Sequence, residues 1–198
     1  MQKTVLAKFR RIVEGHKDST ALAFLDSGKY KEINYQELDQ YRSKLAGWLK
    51  QQGWQKGEKF ALMIGNGPEW IMADLAAASL GLVIVPVHTT YNAEYIRKIV
   101  KHAEAKYLII TSELFVKHEV VISSLDLQQI VIVGQHTIQG ANVVTWPDLD
   151  SVSSHIGVEE EVLDNDLHTI IYTSGTTGDP KGVMHKFLTT EAERIIAH

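Results

Sequence analysis

The segment TIIYTSGTTGDPKGV, residues 169–183, begins as a branched apolar run and turns into a stretch of glycines and hydroxyls at Thr173. Thr169 to Thr173 is short and nearly continuously apolar, which predicts a strand covered on both faces. In the turn that follows, Gly175, Gly178 and Gly182 carry no Cβ. The backbone there can bend sharply, reach positive φ and approach a bulky anion. Thr173, Ser174, Thr176 and Thr177 supply hydroxyl donors, Lys181 adds a compact positive charge, and Pro180 stiffens the chain just before it. Successive N–H groups in such a bend form an anion-binding nest. Glycine, serine and threonine also crowd ordinary surface turns, so composition alone leaves a plain polar turn equally open. The Walker A template is excluded, because Asp179 and Pro180 stand between Gly178 and Lys181.

Upstream of this segment, strand-like and helix-like patterns alternate. Apolar runs at Leu22 to Leu25, Phe60 to Ile64, Val83 to Val87, Tyr107 to Thr111 and Ile130 to Val133 predict further strands. Helical periodicity runs from Gln36 to Gln52, with Leu38, Tyr41, Leu45, Trp48 and Leu49 on one stripe and Asn34 with Glu37 as its cap. Glu69 to Leu80 is alanine-rich and is stopped by Gly81; Ala93 to Ala103 is capped by Asn92 and turns Tyr95, Ile96, Ile99 and Val100 inward; another helix follows from Glu113. The alternation predicts an α/β fold, a sheet of about five mainly parallel strands flanked by helices, with the glycine-rich loop at a strand's carboxyl end.

Residues 134–168 lose this rhythm and read as a loop-rich connector, in which Glu159, Glu160 and Glu161 are expected to form a solvated face. Residues 1–133 are then one α/β lobe. Residues 169–198 hold the loop strand and the start of a helix from Leu188 to Ala197. That helix stops at His198 without a cap, so the chain reads as an N-terminal piece without a C-terminal domain.

The 198 residues are 44% hydrophobic and 22% charged, enough for a packed core. A net charge of -4 offers no basic footprint, so nucleic acid is not an expected partner. The chain has no cysteine, which removes disulfides and thiolate metal sites and suits a cytoplasmic location. At the N-terminus, Val5, Leu6, Phe9, Ile12 and Val13 alternate with Lys8, Arg10 and Arg11. This predicts an amphipathic helix docked on the core, leaves peripheral membrane contact open, and does not fit a signal peptide. The nine histidines show no zinc-cage spacing. Ser174 lacks the Gly-x-Ser-x-Gly elbow of a hydrolase. Nothing in the sequence decides an oligomeric state.

Residues 172–182, Tyr-Thr-Ser-Gly-Thr-Thr-Gly-Asp-Pro-Lys-Gly, resemble almost residue for residue the AMP-binding signature of the acyl-CoA synthetase, peptide-synthetase adenylation and luciferase superfamily, with Asp179 at the variable place. Ile33 to Leu38, Gly67 to Trp70, Gly81 and Val85 to Val87 are similar to segments of fatty-acid-activating members. The resemblance implies the N-terminal subdomain of an acyl-CoA-synthetase-like fold. It implies ATP-dependent activation of a carboxylic acid through an acyl-adenylate, followed by thioester formation with coenzyme A, on a long-chain fatty acid. Loading of a carrier protein, or a non-catalytic phosphate-binding module, remains as an alternative. By the same resemblance, Thr173, Ser174, Gly175, Thr176, Thr177, Gly178 and Lys181 would hold the β and γ phosphates of ATP, with Lys181 acting on the departing pyrophosphate. Mg²⁺ would bridge the phosphate oxygens with help from Thr173. The family's adenine-binding, ribose-binding and later metal-binding segments fall beyond residue 198, so this piece is expected to be inactive alone. Many relatives carry a histidine where this chain has Phe187, and no family role is carried onto His185.

Overall fold

A computed structural model of the chain describes residues 4–152, 159–174 and 180–187, with the backbone only at Ser174. The sequence-predicted loop residues Gly175, Thr176, Thr177 and Gly178, and the helix expected from Leu188 to Ala197, lie outside the described residues.

The chain opens with helix α1 (Val5–His16), capped by the Thr4 side chain, which accepts from the Ala7 N–H. A hairpin of β1 (Thr20–Asp26) and β2 (Lys29–Asn34) follows, then α2 (Tyr35–Gln51). Next come β3 (Lys59–Met63), α3 (Pro68–Leu80), β4 (Val83–Pro86), α4 (Ala93–Ala103), β5 (Tyr107–Thr111), α5 (Ser112–Ser123) and β6 (Gln129–Val133). The described chain ends with β7 (Val143–Thr145), β8 (Leu167–Ser174) and β9 (Pro180–Lys186). Strands β3 to β9 form one seven-stranded sheet in the order β7-β6-β5-β3-β4-β8-β9, parallel throughout except for the antiparallel pair β8 and β9.

Both faces of this sheet are covered, and the side-chain parity of β3 shows how. Phe60 and Leu62 point into a core shared with α1, α2 and α3, while Ala61 and Met63 point into a second core under α4 and α5. With no face left to solvent, successive strand residues must all be apolar. The apolar residues Val5, Leu6 and Phe9 of α1 are buried, so this helix docks on its own domain as its periodicity predicts. At α2, Asn34 Oδ1 accepts from the Glu37 N–H at 2.8 Å and Glu37 Oε2 accepts from the Asn34 N–H at 2.9 Å, the cap read from the sequence. Gly81 ends α3 at φ 64°, and a Cβ there would stand 2.8 Å from Lys56 Cγ.

Four strands and part of one surface differ from the sequence reading. The Leu22 to Leu25 run is not a central strand. It belongs to a separate two-stranded hairpin, turned at Ser27 and Gly28, both at positive φ, and Leu25 is 64% exposed. Its partner β2, with sequence KYKEIN, is too polar to announce itself. Strand β7 lies inside the expected connector, and β9 takes the residues read as a loop, which raises the sheet from about five strands to seven.

The acidic run is solvated as expected at Glu161, but Glu159 and Glu160 are held by partners. Glu159 Oε1 accepts from Arg42 at 2.9 Å and from Arg10, Glu160 pairs with Lys50 at 2.5 Å, and Lys56 Nζ donates to the Glu161 carbonyl at 2.6 Å. The Glu160 N–H also donates to the Ser79 carbonyl at 2.9 Å. These residues strap the end of the connector across α1, α2 and α3.

Glu58 ties together the amino-terminal ends of the strands. Its carboxylate accepts from Lys106 Nζ and the Tyr107 hydroxyl, each at 2.6 Å, and from the Gln55 N–H at 2.9 Å. Burial pushes this carboxyl up, but the three donors outweigh burial and hold it below the usual range. A carboxyl lowered by folding contributes stability above its unfolded pKa, and that contribution is lost as pH falls through the folded value. Glu58→Gln is therefore expected to lower stability at neutral pH and to flatten its decline below about pH 4.3. Urea midpoints followed from neutral pH down to about pH 3 check this.

Candidate functional site: the β8–β9 hairpin

Strand β8 runs parallel to β4, in register at Ile84 and Thr169, and continues past the end of β4 before the chain turns back as β9. The hairpin therefore ends, at the Ser174–Pro180 pair, on the carboxyl edge of the sheet, where open α/β folds receive ligands. Across the hairpin, Thr173 stands opposite Lys181 and Ser174 opposite Pro180. Cross-strand partners share a face, so the side chains of Thr173 and Lys181 leave the hairpin on the same side, both residues exposed. A hydroxyl donor beside a cation suits an anionic oxygen cluster. The structure thus brings together Thr173, Ser174 and Lys181 from the residues chosen by sequence; Gly175, Thr176, Thr177 and Gly178 lie outside the described residues.

The opposite face of the hairpin is fixed to the core under α4. Ile170 and Tyr172 are buried there. Burial pushes the Tyr172 phenol up, which keeps it neutral. A 2.7 Å hydrogen bond joins its hydroxyl to His102 Nδ1, and the two rings meet edge to face at 5.7 Å. One residue further along, the Tyr95 hydroxyl donates to the Thr173 carbonyl at 3.2 Å. Gly182 sits opposite Tyr172, and a Cβ added there would come within 2.9 Å of Ile170 Cγ2 and 3.1 Å of the Tyr172 ring. Its glycine is required by close strand packing. This corrects its expected use in a positive-φ bend over an anion.

At the other end of the hairpin, Phe187 is fully buried and stacks on His168 with ring centroids 4.4 Å apart. His168 Nε2 in turn lies 3.3 Å from Asp74 Oδ1 of α3. The position where many relatives hold a histidine is thus a packing position here, and His185 is a half-buried strand residue facing Thr169. Tyr95 and His102 were missed as site residues by sequence reading. Their spacing of seven puts them two helical turns apart on one face of α4, but nothing in one sequence says that this face meets β8.

A depression of about 810 Å³ lies elsewhere, at the amino-terminal ends of β3 and β5. Its lysines 59 and 106 are paired with Glu104 and Glu58. It is at the wrong end of the sheet for the loop. Among the described residues no three histidine, cysteine or acidic side chains converge as a metal cage, and no helix is long and apolar enough to cross a membrane.

Fold and hairpin together define a doubly wound α/β domain whose β8–β9 pair runs past β4 at the carboxyl edge of the sheet. The profile of the AMP-binding enzymes matches residues 9–192, and the chain belongs to that family. It is 30% identical over 169 residues to fatty acyl-CoA synthetase A of Dictyostelium discoideum, an overlap that takes in 79% of this chain and 25% of that protein. It is 29% identical over 198 residues to tyrocidine synthase 2 of Brevibacillus parabrevis, covering 99% of this chain and 5% of that one. The fold superposes on a long-chain-fatty-acid–CoA ligase from Archaeoglobus fulgidus with a TM-score of 0.82 at 26% identity, over 98% of this chain and 39% of the ligase. The chain spans at most a quarter of the length of those two curated relatives.

Proposed function

We propose that this chain is the ATP-phosphate-binding N-terminal part of an AMP-forming acid–CoA ligase whose substrate is a long-chain fatty acid. The observation that carries the reading is the pairing of Thr173 with Lys181 at the end of the β8–β9 hairpin, on the carboxyl edge of a parallel sheet. In the proposed reaction a carboxylate oxygen attacks the α-phosphorus of ATP, the bond to the β-phosphate bridging oxygen breaks, and pyrophosphate leaves. Coenzyme A thiolate then displaces AMP from the acyl-adenylate. Negative charge grows on the leaving pyrophosphate, and Lys181 with the hydroxyls and amides of residues 173–178 would neutralise it; such preorganised groups lower a barrier by several kcal/mol, of order 3 each.

A hydroxyl such as that of Thr173 is a hard oxygen donor suited to Mg²⁺, which keeps most of its shell as water and phosphate oxygen. Thr173 would hold the ion together with the triphosphate, and the ion would neutralise phosphate charge. A cysteine-free composition supports a cytoplasmic setting. The fatty acid is favoured by the likeness to the Dictyostelium synthetase and the Archaeoglobus ligase. A second reading, in which the acyl group goes to a carrier protein, is favoured by the full-chain match to tyrocidine synthase 2.

Incubating the full polypeptide with ATP, Mg²⁺, coenzyme A and a panel of carboxylic acids separates these. The proposal expects AMP and acyl-CoA in equal amounts, highest with long-chain fatty acids. AMP release with no acyl-CoA would favour the carrier reading, and ADP as the product would overturn both.

A further inference from the structure

We infer that helix α4 is a positioning element for the phosphate loop, with Tyr95 and His102 fixing consecutive residues of β8 at the point where the loop departs. The inference rests on the function proposed above and adds two residues that the signature motif does not contain.

The need for such an element follows from the topology. Strand β4 ends at Pro86 and is in register with β8 at Thr169, so the last residues of β8 extend past it. Beyond that point β8 has a strand partner on the β9 side alone, and β9 is the edge of the sheet. An overhanging two-stranded ribbon is a poor platform for a loop that must place donors within a few tenths of an ångström, because a pair of strands is only marginally stable by itself.

Helix α4 supplies the missing support. Tyr95 donates its hydroxyl to the Thr173 carbonyl at 3.2 Å, which ties the backbone one residue before Ser174. His102, two turns later, bonds the Tyr172 hydroxyl at 2.7 Å and packs edge-on against its ring. One contact holds the main chain and the other holds the buried side chain next to it. Ile96, Ile99, Val100 and Ala103 of the same helix are buried and anchor α4 in the core.

The amino-terminal end of α4 is braced as well. Tyr91 meets Tyr95 edge to face at 4.7 Å, and His88 lies 5.7 Å from Tyr91 with its Nδ1 2.8 Å from the Thr90 hydroxyl. Asn92 caps the helix, accepting from the Tyr95 N–H at 2.9 Å. The row of rings leads from the end of β4 to the Thr173 carbonyl.

Tyr95 and His102 touch neither phosphate nor the reacting atoms in this scheme, so they are positioning residues. Their loss would loosen ATP binding and leave recognition of the carboxylic acid alone. The test is steady-state ATP–pyrophosphate exchange by the full polypeptide, with Tyr95→Phe, His102→Ala, Tyr172→Phe and the His102→Ala/Tyr172→Phe double variant. Tyr95→Phe and His102→Ala are each expected to raise KM for ATP about three- to tenfold, with KM for the carboxylic acid within about twofold of wild type. Because His102 and Tyr172 share one bond, the double variant is expected to be no worse than the poorer single variant.

A merely structural role would instead reduce the amount of active enzyme, lowering kcat with both KM values unchanged. That result, or wild-type KM for ATP in both Tyr95→Phe and His102→Ala, overturns the inference while leaving the proposed function standing. Wild-type polypeptide that shows no exchange with any acid overturns the proposed function and the inference together.

Discussion

Lys181→Ala is expected to lower kcat/KM for carboxylate-dependent ATP–pyrophosphate exchange about 100- to 1000-fold, the effect of deleting one preorganised charge-stabilising donor. The size follows from where the charge stands. Lys181 is exposed on β9, directly across from Thr173 and one residue from the end of the described hairpin at Pro180. In the proposed reaction an ammonium there would meet the oxygens that gain charge as pyrophosphate departs, so its effect would fall on the transition state. Lys181→Arg is expected to recover part of the activity, since the charge is kept but the planar fork does not fit the site of a compact ion. Stability should change by no more than about 0.5 kcal/mol, as for other exposed positions. Exchange kinetics with a parallel urea titration check both statements, and a loss below about threefold in kcat/KM would remove Lys181 from the proposed machinery.

The second large effect is on stability. Arg42→Ala is expected to destabilise the fold by about 3 kcal/mol, read as a lowered urea midpoint at unchanged slope. The Arg42 side chain is only 5% exposed. It donates to Asp39 and Ser79 at 2.7 Å and to Glu159 at 2.9 Å. Its removal leaves Glu159, itself 24% exposed, and the buried Ser79 hydroxyl short of a donor, and it opens the gap that the arginine stem filled. Glu159→Gln should cost less, about 1 kcal/mol, because the amide oxygen still accepts from Arg42. If Arg42→Ala costs under about 1 kcal/mol, the acidic strap is a surface ornament and the sequence reading of a solvated face stands after all.

That strap marks one boundary of what single-sequence reasoning reached. The strands β3, β4, β5, β6 and β8 and the helices α2 to α5 could be read because each carries a periodic signal of its own, closed by Asn34, Gly81 or Asn92. The run Glu159 to Glu161 carries no such signal. Its meaning depends on Arg10, Arg42, Lys50 and Lys56, which lie more than 100 residues away in the chain and meet it only in the folded state. The polar strand β2 and the three-residue β7 are defined by their partners in the same way.

The site divides along the same line. Thr173, Ser174 and Lys181 could be proposed from sequence because the chemistry expected of them is local: hydroxyls, glycines and a cation within nine residues. Pairing Thr173 with Lys181 needs the antiparallel return of β9, and the support from Tyr95 and His102 needs the packing of α4 against β8. Gly182 is the instructive case. It was read as a backbone hinge for an anion, yet its place opposite Tyr172 shows that the ring of the neighbouring strand excludes a side chain there.

The decisive measurement is isotope exchange between labelled pyrophosphate and ATP by the full polypeptide, with and without a long-chain fatty acid. Label entering ATP only when the carboxylic acid is present, and falling at least about 100-fold in Lys181→Ala, is the predicted result. Exchange that ignores every carboxylate offered, or none at all with any of them, would contradict it.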